Sequence, residues 1–284
     1  MRKKILIGTI GLALLFANGL AQANDQPQRI VSLGSFITEG LFLLEMDKQI
    51  VGVTTYCNRP EAAKKKEKAG SIVDVNIEKV IALEPDLVLS TPLTSVKALE
   101  NMRKMGLRVI EFEQVSDFPQ ICRQFLKLGR LVHKEQQAQN IVDRAIEKAK
   151  SIEEKIRNRP KEKVFIQVGT KPLFTMNKEF FLNDLIKRAG GINIAEETAT
   201  GIYSREKVVE NNPDVIIIAG MGIVAEDEKK IWMRYGTINA VKTRNVYSID
   251  PDIICNPLPG NFVNTLEIMA ELLHKDRKEG KDGQ

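Results

Sequence analysis

The chain has 284 residues, with 42 Lys or Arg, 37 Asp or Glu and only two His, and its formal net charge is +5. This length is sufficient for two lobes with separate cores. The near balance of charges argues against a nucleic-acid partner, because binding to phosphates requires a clear basic excess. Two histidines are too few for a His-rich metal site, and we predict no metal ligands.

Residues 1–23 have the pattern of a secretory signal peptide. Three basic residues precede an apolar run over 5–16, and small residues form a cleavage site at 21–23. The apolar run is shorter than the roughly 20 residues that a membrane span needs. A lipoprotein signal requires a cysteine directly after the apolar run, whereas the first cysteine is Cys57. We therefore expect a periplasmic protein that begins near Asn24 and has no lipobox.

Short apolar runs with β-branched residues alternate with segments of helical periodicity along the remaining chain. This alternation predicts an α/β fold with parallel sheets covered by helices. The predicted strands are 29–33, 50–54, 87–91 and 108–112 in the first half, and 163–168, 215–219 and 245–249 in the second half. Predicted helices of the second half are 179–189, 204–210 and 260–273.

Between the two halves, the chain has no strand pattern. Apolar residues recur there at helical spacing from Ala138 to Ile152, and Pro160 ends the helix. These features predict one helix of about 24 residues, about 36 Å long. Such a helix is a stiff link, so we expect little hinge motion between the halves. The predicted organisation is an N-terminal lobe at 24–132, a linking helix at 133–159, a C-terminal lobe at 160–275 and a disordered tail at 276–284.

An internal repeat suggests that the two lobes are related. The run Asn-Ile-Glu-Lys-Val from Asn76 and the run Ser-Arg-Glu-Lys-Val from Ser204 lie 128 residues apart. Both lead, at the same spacing, through Pro-Asp into an apolar strand. Each run begins with a helix N-cap residue type and has a glutamate at its third position, Glu78 or Glu206. A duplicated architecture explains this repetition, and the alternative is a chance similarity of two helix-to-strand turns.

A series of short motifs runs along both halves of the chain, namely Ile30-Val31-Ser32-Leu33, Tyr56-Cys57, Leu83-Glu84-Pro85-Asp86, Ala189-Gly190-Gly191-Ile192-Asn193 and Asn212-Pro213-Asp214. Through these motifs the chain resembles the periplasmic binding proteins of the cobalamin, siderophore and haem ABC importers. The run from Val164 to Thr175 is similar to the cobalamin-binding type. The resemblance implies two lobes joined by one long helix, a monomer, no cofactor and no enzymatic activity.

The same resemblance implies an ABC permease and its ATPase as partners. It also implies that Glu78 and Glu206 pair with arginines of the permease. Two equivalent carboxylates on separate lobes suit a two-fold symmetric partner, because each meets a copy of the same basic pocket. A purely structural alternative is that each glutamate favours the N-terminus of its helix.

The expected ligand site is the groove between the lobes, because ligands of open α/β sheets lie beyond the carboxyl ends of the strands. The expected ligand-binding residues are Ser35, Tyr56, Cys57, Phe174, Tyr203, Asp252 and Cys255. Cys57 and Cys255 would face each other and could ligate a metal or close a disulfide, or they are half-buried loop cysteines. Phe174 and Tyr203 would offer flat faces to a macrocycle, or belong to the core.

Few residues of the expected groove are charged, so a small-molecule metal chelate with a mostly apolar surface fits better than an anionic catecholate siderophore. We expect a corrinoid or an iron chelate, and a ferric siderophore or a haem is the alternative. One motif favours an enzyme, because Gly220-Met221-Gly222 follows a strand as in a dinucleotide-binding fingerprint. Too little chain follows this motif for a dinucleotide-binding domain. We therefore predict no catalytic residues. An extracytoplasmic ligand sensor on the same fold is a further alternative.

Overall fold

The computed structural model describes residues 26–275 apart from Met221 and the side chain of Ile223. The expected signal peptide at 1–23 and the expected disordered tail at 276–284 lie outside these residues. The strands are β1 (Ile30–Ser32), β2 (Ile50–Val53), β3 (Leu87–Ser90), β4 (Val109–Glu111), β5 (Glu162–Gln167), β6 (Gly169–Thr170), β7 (Leu173–Phe174), β8 (Gly191–Asn193), β9 (Val215–Ala219) and β10 (Val246–Ile249).

The helices surround the two sheets that these strands form. They are α1 (Ser35–Leu43), α2 (Ile77–Ala82), α3 (Val96–Lys104), α4 (Phe118–Leu131), α5 (Glu135–Ile156), α6 (Phe181–Arg188), α7 (Arg205–Asn211), α8 (Gly222–Trp232), α9 (Asn239–Lys242), α10 (Pro251–Ile254) and α11 (Pro259–Leu273). Two short 3-10 helices lie at Asp47–Gln49 and Glu61–Lys65. Among the described residues, no helix combines the length and apolarity that crossing a membrane requires.

Each lobe contains one four-stranded parallel sheet. The N-terminal sheet has the order β2-β1-β3-β4, and the C-terminal sheet has the order β10-β9-β5-β8. Read from the other edge, the second order is β8-β5-β9-β10, which is the same connectivity as in the first lobe. The predicted α/β class with two parallel-sheet lobes is confirmed.

The repeated sequence forms the same local structure in both lobes. Asn76 and Ser204 cap α2 and α7, because each side-chain oxygen accepts a hydrogen bond from the backbone N–H three residues later, at 2.9 and 3.2 Å. In the turn that follows, Glu84 and Asn212 both have a φ of 45°. The repeat is therefore a helix-turn-strand unit that occurs once in each lobe.

The aspartates of the two Pro-Asp turns connect neighbouring strands of each sheet. Asp86 Oδ2 accepts a hydrogen bond from the backbone N–H of Arg29 at 3.1 Å, just before β1. Asp214 Oδ2 accepts one from the backbone N–H of Lys163 at 2.9 Å, at the start of β5. Each aspartate thus satisfies a backbone donor that the parallel ladder leaves without a partner at that end.

The lobes are joined by α4 and α5, which are separate helices with a break near His133. Helix α5 has 22 residues, which corresponds to about 33 Å. It packs against α4 and α11, and α11 also contacts α6 and α10 of the C-terminal lobe. One cluster of buried apolar side chains runs from β1 and β3 through these helices to β5 and β9. The exact lobe boundaries stay a prediction.

Candidate functional site

A cavity of about 410 Å³ lies between the two lobes. The N-terminal lobe lines it with Ser35, Phe36, Ile72, Thr91, Pro92, Leu93, Glu113, Gln114, Val115 and Gln124, and the C-terminal lobe lines it with Phe174, Met176, Phe180, Phe181, Cys255 and Pro257. Most of these residues follow the parallel strands β1, β3, β4 or β10. The cavity therefore lies beyond the carboxyl ends of parallel strands, where α/β sheets bind ligands. We call it the cleft.

The walls of the cleft are mainly aromatic and aliphatic. Phe36 is held by an edge-to-face contact with Phe112 at 5.8 Å between ring centroids. Phe181 packs at 6.4 Å on Phe262, which belongs to the buried core. Rings supported in this way offer preformed apolar surface to a ligand, with little rotamer freedom left to lose.

The charge of the cleft is low. Glu113 is the one charged side chain among its described lining residues, and it is exposed. Neither Lys nor Arg lines the cavity in the described part of the chain. An anionic ligand would therefore lose water without gaining a cation in the cleft itself, which is costly. A ligand with a neutral, bulky body fits these walls better.

Two polar side chains at the cleft are incompletely satisfied. Thr91 is only 3% exposed, and its Oγ1 has no hydrogen-bond partner among the described residues. Gln124 Oε1 is also buried and has no hydrogen-bond partner among the described residues. A Cβ at Gly34 would lie 2.4 Å from Thr91 Cγ2, so glycine leaves the room that the Thr91 side chain occupies. Unsatisfied buried polar atoms are rare, and a binding site is one place where they occur.

Three of the predicted ligand-binding residues line the cleft, namely Ser35, Phe174 and Cys255. Burial raises the pKa of the Cys255 thiol to about 12, and the nearby carboxylate of Asp252 adds to the rise. The thiol is therefore neutral at physiological pH. It can contact a ligand as a small apolar group, but it is not prepared to act as a thiolate metal ligand.

Cys57 differs from the expectation, because the structure places it inside the N-terminal lobe. It is fully buried, and its Sγ lies 3.1 Å from Thr38 Oγ1 and 3.2 Å from Thr54 Oγ1. All three cysteines of the chain are free. The expected pair of cysteines across the groove is therefore absent, and only Cys255 remains at the cleft.

The other three predicted residues also lie away from the cavity lining. Tyr56 is 61% exposed. Tyr203 packs at 5.6 Å on Phe165 of the C-terminal core, and its hydroxyl donates a hydrogen bond to the Ile194 carbonyl at 3.2 Å. Asp252 lies on α10 beside the cleft, and its pKa is raised by burial and by the neighbouring Asp250 carboxylate.

A polar cluster connects the lobes beside the cleft. Glu39 of α1 accepts hydrogen bonds from Asn256 Nδ2 at 2.6 Å and from Asn261 Nδ2 at 3.3 Å. Arg59 lies between Glu39 and Asp250, with both carboxylates 3.9 Å from its guanidinium nitrogens. Burial raises the pKa of Glu39, although Asn261 and Arg59 oppose the rise. Sequence reasoning had no signal for this cluster, since its members are far apart in the chain.

The two predicted docking glutamates occupy equivalent, exposed positions. Glu78 is the second residue of α2, and Glu206 is the second residue of α7. Hydrogen bonds from its own backbone N–H and from Ser204 lower the pKa of Glu206. Their role in docking stays a prediction. In the described part of the chain, no group of three or more His, Cys, Asp or Glu could hold a metal ion.

Several cleft residues had no place among the predicted ligand-binding residues, in particular Thr91, Glu113, Gln124, Met176 and Phe180. Thr91 follows β3 in a loop that the rule about strand ends assigns to the groove, and the same rule could have found Glu113, which lies two residues after β4. Gln124 lies on α4, where the sequence carries no comparable signal. Its place at the cleft depends on how the helix packs.

Comparisons with known proteins agree with this architecture. A family model of periplasmic binding proteins matches residues 30–253. An uncharacterised ABC transporter substrate-binding lipoprotein of Bacillus subtilis is 32% identical over 260 residues, which are 88% of this chain and 81% of the relative. A vitamin B12-binding protein of Pectobacterium atrosepticum is 27% identical over 223 residues, which are 76% of this chain and 80% of the relative.

A solved structure extends the agreement to the fold. The crystal structure of a periplasmic haem-binding protein of Vibrio cholerae matches with a TM-score of 0.77 at 21% identity, and the match covers 87% of this chain and 99% of that chain. The family model covers residues of both lobes, from β1 into α10, and most of the residues that line the cleft. This chain therefore belongs to the periplasmic binding protein family, whose members are extracytoplasmic binding proteins and not enzymes.

Proposed function

We propose that the protein is the substrate-binding component of an ABC importer and that its ligand is a corrinoid of the cobalamin type. The observation that carries this proposal is the apolar cleft, which has aromatic walls on both lobes and no cation among its described lining residues. A corrin ring is a broad, flat body with uncharged amide side chains, so it matches such walls. The vitamin B12-binding relative supports the same ligand class.

A haem is less compatible with the cleft. Its two propionates are anionic and would face no Lys or Arg among the described lining residues. Its iron usually takes a His, Tyr or thiolate ligand. Neither His nor Tyr lines the described cleft, and the Cys255 thiol is neutral. A ferric hydroxamate siderophore is the second candidate, because such a chelate has little charge.

We propose an ABC permease with its ATPase as the partner of this monomer. Glu78 of the N-terminal lobe and Glu206 of the C-terminal lobe would each pair with an arginine of the permease. Their equivalent positions at the exposed starts of α2 and α7 support this role. Charge-assisted pairs between carboxylate and guanidinium are strong and directional, which suits docking in one orientation.

We also propose that the mature protein is free in the periplasm after cleavage near residue 23. The Bacillus subtilis relative is a lipoprotein, so this point needs its own measurement. Mass spectrometry of protein isolated from the periplasm should give an unmodified chain that begins near Asn24. A mass increase equal to a diacylglyceryl group would show a lipid anchor instead.

Isothermal titration calorimetry with cobalamin, cobinamide, haem and a ferric hydroxamate tests the ligand class. Calorimetry is preferable to intrinsic fluorescence, because the sole tryptophan, Trp232, is fully buried in the C-terminal core. We expect saturable binding of a corrinoid and no binding of haem. Phe174→Ala should weaken corrinoid binding, whereas Val96→Ala, at an exposed site outside the cleft, should not.

The alternative of a ligand sensor predicts different behaviour in cells. If the protein is part of an importer, deleting its gene should abolish uptake of the labelled corrinoid, and restoring the wild-type gene should restore uptake. If the purified protein binds a corrinoid while uptake is unaffected by the deletion, the import proposal is wrong and sensing is favoured.

A further inference from the structure

A second cavity adjoins the cleft along α4. Its volume is about 480 Å³, and its lining residues are Glu113, Gln120, Arg123, Gln124, Lys127 and Arg130. Glu113 and Gln124 line the cleft as well. The two cavities therefore share a rim. We call the second one the basic groove.

The groove differs from the cleft in its charge. Arg123, Lys127 and Arg130 are four and three residues apart, so they lie on one side of α4. Lys127 is held in place, because its Nζ donates to the Glu111 carbonyl at 3.0 Å and lies 5.0 Å from the centroid of the Phe112 ring. Within the described part of the chain, neither Arg123 nor Arg130 forms an ion pair. Two guanidinium groups are thus free for an anion.

Gln124 forms the boundary between the cleft and the groove. Its Nε2 donates a hydrogen bond to the Glu113 carbonyl at 2.9 Å, which connects α4 to the segment after β4. Its Oε1 is buried and has no partner among the described residues. A ligand that extends from the cleft to the groove would pass this amide and could supply the missing donor.

We infer that the basic groove binds a compact anionic group on a side arm of the ligand whose neutral body occupies the cleft. This inference rests on the proposed function. The lining of each cavity suits one part of the ligand. The apolar side chains of the cleft contact the neutral body, and Arg123, Lys127 and Arg130 of the basic groove attract the anion. A phosphodiester and a carboxylate share this chemistry, and guanidinium groups bind both.

Cobalamin and cobinamide separate the two parts of the ligand, because cobalamin has a phosphodiester on its nucleotide arm and cobinamide lacks that arm. The wild-type protein should bind cobalamin more tightly. Arg123→Gln and Lys127→Gln should each lower the affinity for cobalamin about three- to fivefold, as expected for exposed charge pairs. Both variants should leave the affinity for cobinamide unchanged. Raising the salt concentration should reduce the preference for cobalamin, because exposed charges are screened. Lys104→Gln, an exposed lysine outside the groove, is the control.

A cobinamide derivative that carries a single carboxylate arm distinguishes the kind of anion. If this derivative binds with an affinity between those of cobinamide and cobalamin, and if Arg123→Gln lowers that affinity, the groove accepts carboxylates as well as phosphodiesters. Equal binding of cobalamin and cobinamide, unchanged in the Arg123→Gln and Lys127→Gln variants, would overturn the inference while the proposed function stands. If neither corrinoid binds, the proposed function fails and this inference fails with it. Melting temperatures equal to wild type would show that the variants are folded.

Discussion

Glu39 on α1 and Asn256 just before α11 form a hydrogen bond of 2.6 Å between the two lobes. Glu39 also accepts from Asn261 and lies near the Arg59 guanidinium, so one carboxylate holds groups from both sides of the molecule. The lobes are thus joined beside the cleft by polar contacts, in addition to the apolar packing of α4, α5 and α11.

Glu39→Ala should lower the free energy of unfolding by about 1–3 kcal/mol, because the side chains of Asn256 and Asn261 lose their acceptor in a buried place. Urea unfolding followed by circular dichroism measures the change. The control is Glu61→Ala, which removes an exposed carboxylate paired with Lys64 and should cost less than about 1 kcal/mol. Equal losses in both variants would contradict the role of Glu39.

The pH dependence of stability gives a second test of Glu39. Burial raises its pKa above the value of 4.5 that holds in the unfolded chain. The folded state therefore binds the proton more tightly, and the stabilisation by this proton is fully present below pH 4.5 and lost as the pH rises through the raised pKa. Relative to Glu39→Gln, the wild-type protein should gain stability when the pH is lowered from 7 to 4.5. A difference that is constant with pH would show that Glu39 has an ordinary pKa.

Glu228→Gln should destabilise the C-terminal lobe by about 2–3 kcal/mol, since it leaves a largely buried guanidinium without its anion. Glu228 Oε2 lies 2.5 Å from Arg205 Nη2 and accepts a hydrogen bond from Gln167 Nε2, and Gln167 in turn accepts one from the Trp232 indole at 2.7 Å. Thermal unfolding and the emission maximum of Trp232 should both shift. Glu226→Gln, at an exposed site of the same helix, should change neither.

Glu78→Lys or Glu206→Lys should abolish uptake and leave the ligand affinity unchanged, because both side chains are exposed at helix starts and outside the cleft. The matched control is Glu210→Lys, which reverses another exposed charge of α7 and should support normal uptake. Transport of labelled ligand and calorimetric affinity are the two measurements. A large loss of affinity in either docking variant would place that glutamate in the ligand site.

The Cys255 thiol should react slowly with iodoacetamide at pH 8. A pKa of about 12 leaves a thiolate fraction of only about 10⁻⁴ at that pH, and the thiolate is the reactive form. In urea the same cysteine should react much faster, which serves as the internal control. Ligand in the cleft should slow the native reaction further. Rapid, complete labelling of the native protein would show that the thiol is exposed and has an ordinary pKa.

Much of the fold could be predicted from local patterns. Strand β9 begins and ends where the sequence predicts, β5 differs by one residue at each end and β10 by one at its start, because each is an apolar run between polar turns. Strand β8 was not predicted, since Gly191–Asn193 has three residues and no alternation. Helix α10 has only four residues and was not predicted either. Elements this short are stabilised by tertiary contacts that no local pattern records.

The site was less predictable than the fold, and Cys57 shows the physical reason. It follows β2, which is the edge strand of the N-terminal sheet, and the turn after β2 folds back beneath α1 so that the thiol meets Thr38 and Thr54. Loops after β1, β3 and β4 reach the cleft directly, whereas the connection after β2 reaches it only later, at Ile72. The rule that strand ends form the site gives the correct edge of the sheet, but which residues of each loop converge there depends on tertiary packing.

The buried cluster that runs through α4, α5 and α11 has a consequence for the energy of the whole molecule. Each lobe also has a buried cluster of its own, but loss of either sheet would expose apolar surface of the shared cluster, so we expect the two lobes to unfold together. By architecture the protein has two parts, but thermodynamically it should behave as one cooperative unit. We therefore expect only small displacements of the lobes on ligand binding, and an affinity that depends on cleft walls formed before the ligand binds.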